Sequence, residues 1–352
     1  MTTLAHSIVR SPFIDTGDTT SACRLLRAKK LSVVVPCYNE LESLPELVRR
    51  LTYICTQCVG NDYELILVND CSTDETWAEM MRLSADTHQV IGVDLARNHG
   101  HQLALTAGLS VASGDRVMII DADLQDPPEL LPEMMAQLDA GAEVAYGQRL
   151  QREGETWFKK TSAAFFYRLL RRLADAPIPA DTGDFRLMKR QVVDVLLSMP
   201  EQHRFIRGMV AWIGFRQVAV PYQRQARFAG KTKYPLRKMI RFAADAITGF
   251  SVAPLRLSLY FSLWSVLLAI LLGLYALWQW FTGAAIPGWT SIAIIVLAFG
   301  SMQMLCLGIM GEYLGRIYAQ SKQRPLFVIR SIQQNVPAAD AIGKSREFSY
   351  HT

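Results

Sequence analysis

Arg116-Val-Met-Ile-Ile-Asp-Ala-Asp-Leu-Gln125 is a short apolar run that ends on two carboxylates and an amide. Such a run, bounded by polar residues, reads as a strand buried on both faces, the kind found in parallel sheets. Outward from it the pattern repeats. Leu31 to Val35, Glu64 to Asn69, Val90 to Leu95 and Glu143 to Tyr146 read the same way, with helical patterns near Leu44 to Cys55, Asp74 to Ser84, Gln102 to Ala112 and Pro128 to Leu138. Strict alternation of strand and helix predicts an α/β fold built on a doubly wound, mostly parallel sheet. Ligands in such sheets bind outside the carboxyl ends of the strands. Here those ends are Pro36-Cys-Tyr-Asn-Glu40, Asn69-Asp-Cys-Ser-Thr-Asp74 and Asp121-Ala-Asp-Leu-Gln125. No Gly-x-Gly-x-x-Gly follows any strand, which speaks against a dinucleotide-dependent dehydrogenase. Ala229-Gly-Lys-Thr232 is no phosphate loop, because Gln225 stands where the first glycine belongs.

The 55 residues between Arg256 and Glu312 hold no Asp, Glu, Lys or Arg. They divide at Thr282 to Thr290 into two apolar runs, 257–280 and 291–311, each long enough as a helix to cross a hydrocarbon core of about 30 Å. Arg237, Lys238, Arg241 and Arg256 precede the first run, and Arg316, Lys322 and Arg324 follow the second, so both flanks are expected in the cytoplasm. Trp278, Trp280 and Trp289 would form an aromatic belt at the far interface. The first 30 residues lack the apolar stretch of a signal peptide. Six irregularly spaced cysteines suit a reducing compartment, and Cys55-x-x-Cys58 falls within a helical apolar pattern that reads as packing.

The net charge of +5 hides a segregation. Residues 31–148 carry 5 basic and 19 acidic side chains, whereas residues 149–241 carry 20 basic and 7 acidic ones. The second block is suited to anionic headgroups and phosphates. It contains no nucleic-acid motif and leads straight into the apolar pair, so no nucleic acid is expected as a partner. Thr156 to Leu173 has one basic and one apolar face, and Tyr234 to Phe250 is a second basic stretch placed for a bilayer surface.

Asp121 and Asp123 at a central strand end, with Gln125 beside them, offer hard oxygen ligands for Mg2+ or Mn2+. Such an ion would neutralise a diphosphate and make a nucleotide a better leaving group. Asp184, in Asp181-Thr-Gly-Asp-Phe-Arg186, is either a general base or a carboxylate that orients Arg186. A phosphate monoester acceptor is already largely dianionic at neutral pH, so positive groups to position it matter more than a base. Arg149, Lys159, Lys160, Arg186, Arg207 and Lys233 are the candidates.

With these residues placed, the chain resembles glycosyltransferase family 2, and within it the polyprenyl-phosphate branch. The matching stretches are Val33-Val-Val-Pro-Cys-Tyr-Asn-Glu40, Asn69-Asp-Cys-Ser-Thr-Asp-Glu-Thr76, Arg97-Asn-His-Gly100, Asp121-Ala-Asp-Leu-Gln-Asp-Pro-Pro128 and Gly230-Lys-Thr-Lys-Tyr234. Asp181 to Leu187, Arg204 to Gly208 and Phe228 to Pro235 are most similar to the bactoprenol glucosyltransferases.

The resemblance implies a GT-A fold, UDP-glucose as donor, undecaprenyl phosphate as acceptor and inversion at the anomeric carbon. By similarity, Pro36, Tyr38, Glu40 and Asp70 line the nucleoside pocket, and Asp121, Asp123 and Gln125 hold the metal and diphosphate. Asp184 is the catalytic carboxylate, and Arg149 and Arg207 meet phosphates. Asn69 replaces a frequent aspartate and Thr232 a frequent serine. A homo-oligomer, often a tetramer, is also implied.

The expected organisation is a polar extension over 1–30, a GT-A domain over 31–233 and an interfacial helix over 234–254, followed by two spans within 255–314 and a cytoplasmic tail over 315–352. It places the protein in the bacterial inner membrane, multi-pass, with the catalytic domain in the cytoplasm. A processive polysaccharide synthase would carry a Gln-x-x-Arg-Trp motif, which is absent. Transfer from a different nucleotide sugar (aminoarabinose, N-acetylhexosamine or mannose) and a non-catalytic membrane protein that binds nucleotide sugar are the remaining readings.

Overall fold

The structure is a computed structural model that describes residues 30–150, 182–223, 253–282 and 288–335. Eight strands form one sheet: β1 Leu31–Cys37, β2 Tyr63–Asn69, β3 Val90–Leu95, β4 Arg116–Ile119, β5 Val144–Arg149, β6 Thr182–Lys189, β7 Gln217–Tyr222 and β8 Ile329–Gln334. Their order is β7-β5-β6-β4-β1-β2-β3-β8. Four of the seven pairings are parallel; β6 runs antiparallel to both β4 and β5, and β8 antiparallel to β3.

Six helices cover the two faces: α1 Leu44–Val59, α2 Thr76–Asp86, α3 His101–Val111, α4 Leu131–Asp139, α5 Arg190–Ser198 and α6 Ile206–Ile213. Alternate residues of each strand face opposite layers. Leu31, Val33 and Val35 of β1 pack with Leu47 and Leu51 of α1 and Met134 of α4, while Val34 and Ile66 pack with Leu105 of α3 and Met209 of α6. Each fully buried leucine or isoleucine of this sandwich contributes about 1.5–3 kcal/mol. The layer is tight at α3, where a Cβ on Gly108 would lie 2.3 Å from Val34 Cγ1. No side chain larger than glycine's fits there.

The order in which strands are added across the sheet reverses between β1 and β4, which run parallel. From β1 the chain moves outward through β2 and β3, then returns to place β4 on the other side, which makes the β1/β4 carboxyl end a topological switch point. The loops that follow β1, β2 and β4 each contain one non-glycine residue at positive φ: Asn39 (55°), Cys71 (55°) and Leu124 (58°). Asparagine adopts that conformation readily; for cysteine and leucine it is a cost that the surrounding structure must hold in place.

Beyond the sheet lie α7 Ala253–Phe281 and α8 Trp289–Ser321, 29 and 33 residues long. At 1.5 Å per residue they extend about 44 and 50 Å. Their apolar windows, Ser258–Tyr275 and Ile294–Ser321, have mean hydropathies of 1.9 and 2.0, and almost none of their residues are buried. Leu263, Trp264, Val296 and Leu297 are all exposed. By length and composition both helices could cross a membrane. The last turn of α8 docks on the sheet domain. Gln320 Nε2 donates to the Pro200 carbonyl at 2.6 Å and its Oε1 accepts from Gln202 N at 3.1 Å.

The segment after α8, expected as a tail, corrects that reading in part: residues 329–334 form β8 and seal the β3 edge. Phe327, Ile329 and Ile332 pack against the α3 side of the core, which supplies the reason. Lys233 and the basic stretches Thr156 to Leu173 and Tyr234 to Phe250 lie outside the described residues.

Candidate active site

The antiparallel register of β6 brings the key pair together. Ile119 lies opposite Arg186, so Asp121, two residues after the one, and Asp184, two residues before the other, come side by side. Asp184 is buried, and its carboxylate accepts from Arg207 Nε at 2.9 Å, from Gln102 Nε2 at 3.0 Å and shares a 3.0 Å contact with His101 Nε2. Burial alone would raise its pKa, but the Arg207 charge and the His101 hydrogen bond outweigh that and hold it well below the ordinary carboxylate range.

His101 also faces Asp121, with Nε2 3.6 Å from Oδ1. Burial disfavours the imidazolium, yet the Asp184 hydrogen bond and the charges of Asp121 and Asp184 carry its pKa up to about 9. Asp121 is pushed up to about 6, first by burial and then, against the opposing charge of His101, by Asp184, Asp126 and Asp123. Its buried Oδ1 has no hydrogen-bond donor among the described residues. Asp123 Oδ1 accepts the Gln125 backbone N–H at 3.2 Å, which fixes the turn that carries all three candidate metal-site residues.

Three guanidinium groups ring the same corner. Arg186 is buried and donates to the Asp184 and Gly183 carbonyls at 3.3 and 3.1 Å; burial brings its pKa down to about 10. Of the two roles read for Asp184, a base or a carboxylate that orients Arg186, the second is corrected in its partner: the structure gives the carboxylate to Arg207 and leaves Arg186 on backbone oxygens. Arg149 donates to Tyr222 Oη at 3.2 Å and lies 3.7 Å from Asp126, to which Tyr222 also donates.

On the other side of the switch point, the β1 and β2 loops are laced together. Asn39 N donates to Ser72 Oγ at 3.1 Å and Thr73 N to Asn39 Oδ1 at 2.8 Å. Glu40 N donates to Thr76 Oγ1 at 3.0 Å, Pro36 is buried within β1, and the Tyr38 ring is exposed above it. Asp70, expected in the nucleoside pocket, is buried, and both its oxygens are taken by backbone amides: His99 N at 2.7 Å and Gly100 N at 2.9 Å. Gly100 has φ +88°, a conformation that lets its N–H turn toward that carboxylate at the start of α3.

Two residues that sequence reasoning did not assign, His101 and Gln102, touch the Asp184 carboxylate. Gln102 bridges, with Nε2 on Asp184 and Oε1 accepting Ile206 N at 2.8 Å. It thereby ties the carboxylate to the first turn of α6, the helix that presents Arg207. A polar pair directly after Arg97-Asn-His-Gly100, at the head of an otherwise apolar helix, was the available signal.

The chain is similar to known proteins over most of its length. The signature described as "Glycosyl transferase family 2" matches residues 32–197, and that described as "GtrB C-terminal hairpin" matches residues 253–317. The glycosyltransferase YkcC of Bacillus subtilis (strain 168) is 46% identical over 302 residues, 85% of this chain and 93% of its own. A prophage bactoprenol glucosyl transferase homolog of Escherichia coli (strain K12) is 34% identical over 306 residues, 87% of this chain and 100% of its own. Among solved structures, glucosyl-3-phosphoglycerate synthase from Mycobacterium tuberculosis, in complex with Mn2+, UDP-glucose and phosphoglyceric acid, aligns with a TM-score of 0.42. It shows 20% identity over 62% of this chain and 78% of that one. With its GT-A-like sheet, the switch-point carboxylates and the hairpin that follows, the chain belongs to glycosyltransferase family 2.

Proposed function

We propose that the protein is an inverting, metal-dependent hexosyltransferase that moves glucose from UDP-glucose onto undecaprenyl phosphate at the cytoplasmic face of the bacterial inner membrane. One observation carries the reading: Asp121, at an acidic strand end and with an Oδ1 that accepts no hydrogen bond among the described residues, abuts a guanidinium-held carboxylate, Asp184, in a chain that continues into two lipid-length apolar helices. The relatives named bactoprenol glucosyl transferase, matched over nearly their whole length, support the sugar and the lipid acceptor.

A divalent ion, Mg2+ or Mn2+, fits the donor set. Asp121 and Asp123 offer hard oxygens, the Gln125 amide is beside them, and the buried Asp121 Oδ1 accepts no hydrogen bond among the described residues, with His101 Nε2 3.6 Å away. Among the described residues no third His, Cys, Asp or Glu completes a protein-only cage. That suits an ion which keeps waters and substrate phosphates in its shell. When bound it offsets the charge of the departing diphosphate.

The chain's own residues do the rest. Pro36, Tyr38 and Glu40 line the nucleoside side of the crevice, and Asp70 holds its wall. Arg149, Arg186 and Arg207, with Lys233 from the segment outside the described residues, supply positive charge for diphosphate and acceptor phosphate. Asp184 holds Arg207 in place and remains ionised. The two helices span the bilayer with both flanks in the cytoplasm, residues 234–254 lie at the interface, and the protein assembles as a homo-oligomer, a tetramer by resemblance.

Membranes containing the full chain, given a short-chain polyprenyl phosphate and radiolabelled UDP-glucose, UDP-N-acetylglucosamine, UDP-aminoarabinose or GDP-mannose, test the proposal. Label should pass from UDP-glucose into organic-extractable lipid and should stop in chelator. Transfer only from another nucleotide sugar would overturn the glucose assignment, and transfer from none would favour the non-catalytic reading.

A further inference from the structure

Arg330 is on β8, the strand that rejoins the sheet after the second apolar helix, and its guanidinium forks across the end of β3. One arm donates to Asp94 Oδ2 at 2.9 Å and the other to the Ala96 carbonyl at 2.9 Å. Between these two contacts the β3/β8 ladder shifts register at Asp94/Leu95. Such an irregularity re-aims the chain that follows it. Arg330 therefore holds the place where β3 turns into the loop 96–100.

Two hydrogen-bond paths run from that place to the donor side of the crevice. Along the first, Asp94 Oδ1 accepts from Asn69 Nδ2 at 2.7 Å, Asn69 Oδ1 accepts from Ser72 N at 3.0 Å, and Ser72 Oγ accepts from Asn39 N. The second passes along the loop itself, where Asn98 Nδ2 donates to the Asp70 carbonyl at 3.0 Å and the His99 and Gly100 amides hold the Asp70 carboxylate. Both paths end on the 69–74 loop, which contains the left-handed Cys71, and from there reach Asn39, between Tyr38 and Glu40. The Asp94 side chain is 3% exposed, so its carboxylate depends on the two partners it has, whereas the Arg330 side chain is 57% exposed. Without the guanidinium the buried Asp94 carboxylate would be left short of a donor, and the loops bonded to it would have to shift to satisfy it.

We propose that Arg330 is a positioning residue of the donor pocket: through Asp94 and Ala96 it sets the 69–74 and 36–40 loops, so that the segment after the membrane hairpin governs nucleotide affinity. The inference rests on the reading of those loops as the nucleoside pocket. The test uses full-length protein in nanodiscs, with UDP binding by calorimetry, initial rates and thermal unfolding for wild type, Arg330→Ala and Arg330→Lys. Arg330→Ala should weaken UDP binding and raise the donor KM by about fivefold or more, the size of a typical coupling between sites, with kcat at saturating donor within about twofold. Arg330→Lys should recover part of the loss, since it keeps the charge for Asp94 and loses the planar fork.

Should the alanine variant be recovered unfolded, Arg330→Gln carries the same comparison. Wild type that binds UDP alongside a folded variant of unchanged affinity overturns the positioning role alone. A parallel loss of kcat and unfolding temperature with unchanged KM also overturns it, since that is the signature of mere edge stability. Wild type that fails to bind UDP overturns the donor-pocket reading and the role of Arg330 with it.

Discussion

Arg207 Nε and Asp184 Oδ1 meet at 2.9 Å, joining the first turn of α6 to the start of β6 across 23 residues of sequence. The carboxylate is buried and its pKa is held well below the ordinary range. A general base works best with a pKa near the working pH, so this carboxylate is a poor base and a good anchor. Asp184→Asn should therefore lower kcat by a factor nearly constant between about pH 7 and 9, where the acceptor phosphate is dianionic. A defect that deepens steadily from pH 8 to 6 in a pH-rate profile would instead make Asp184 a base. Stability gives a second readout. A carboxylate of depressed pKa contributes above its unfolded pKa of about 3.9, and that contribution fades as pH falls through the folded value. Asp184→Asn should be less stable than wild type at neutral pH, and the gap should close in acid.

Gln102 makes the bridge between Asp184 and Ile206 N, and leucine of similar size would break both of its hydrogen bonds. Each buried group left without a partner costs about 1–3 kcal/mol. Gln102→Leu should lower kcat by about tenfold or more while leaving the donor KM near wild type, because misplaced catalytic groups affect the chemical step. A normal kcat in steady-state rates would show that Arg207 needs no such tether.

Asp123→Ala removes one of two candidate metal carboxylates and leaves the core untouched. Transfer should be abolished in a folded protein, and Mn2+ binding, read by electron paramagnetic resonance, should fall at least tenfold, as for the loss of a ligand-orienting group. Full activity of this variant in excess chelator would sink the metal assignment.

Basic residues on both sides of the apolar pair place the flanks together. In a cysteine-free background, an impermeant thiol reagent applied to intact cells should label a cysteine placed at Gly283 and spare one at Lys322. Labelling at Lys322 alone would invert the orientation, and the Gln320 contact with Pro200 would then put the catalytic domain outside as well.

The first five strands were legible because each is an apolar run that ends on polar residues, and the structure places their ends within a few residues of the reading. β6 was not, since Thr182–Lys189 mixes glycine, aspartate and arginine with the buried Phe185 and Leu187. It is a strand because β4 and β5 pair with both its edges, a tertiary cause. Its alternation of polar and apolar residues was the weak trace in the sequence. Asp121 and Asp123 could be placed from their strand end. Which partner would take Asp184 could not, because Arg207 arrives from a helix whose position only the packed sheet defines. Asp70 shows the same limit: its carboxylate serves the backbone of a loop distant in sequence.

The sheet is also ordered in time. β8 pairs with β3 across a separation of 236 residues between Arg330 and Asp94, and the two apolar helices are synthesised between them. A ribosome releases the β3 edge long before its partner exists, so the nascent domain presents unpaired backbone groups until α7 and α8 have emerged. Maturation of the catalytic domain is thereby placed after synthesis of the hairpin. A chain truncated ahead of α8 would keep nearly every site residue and lack the strand that closes its sheet, leaving an edge open to aggregation.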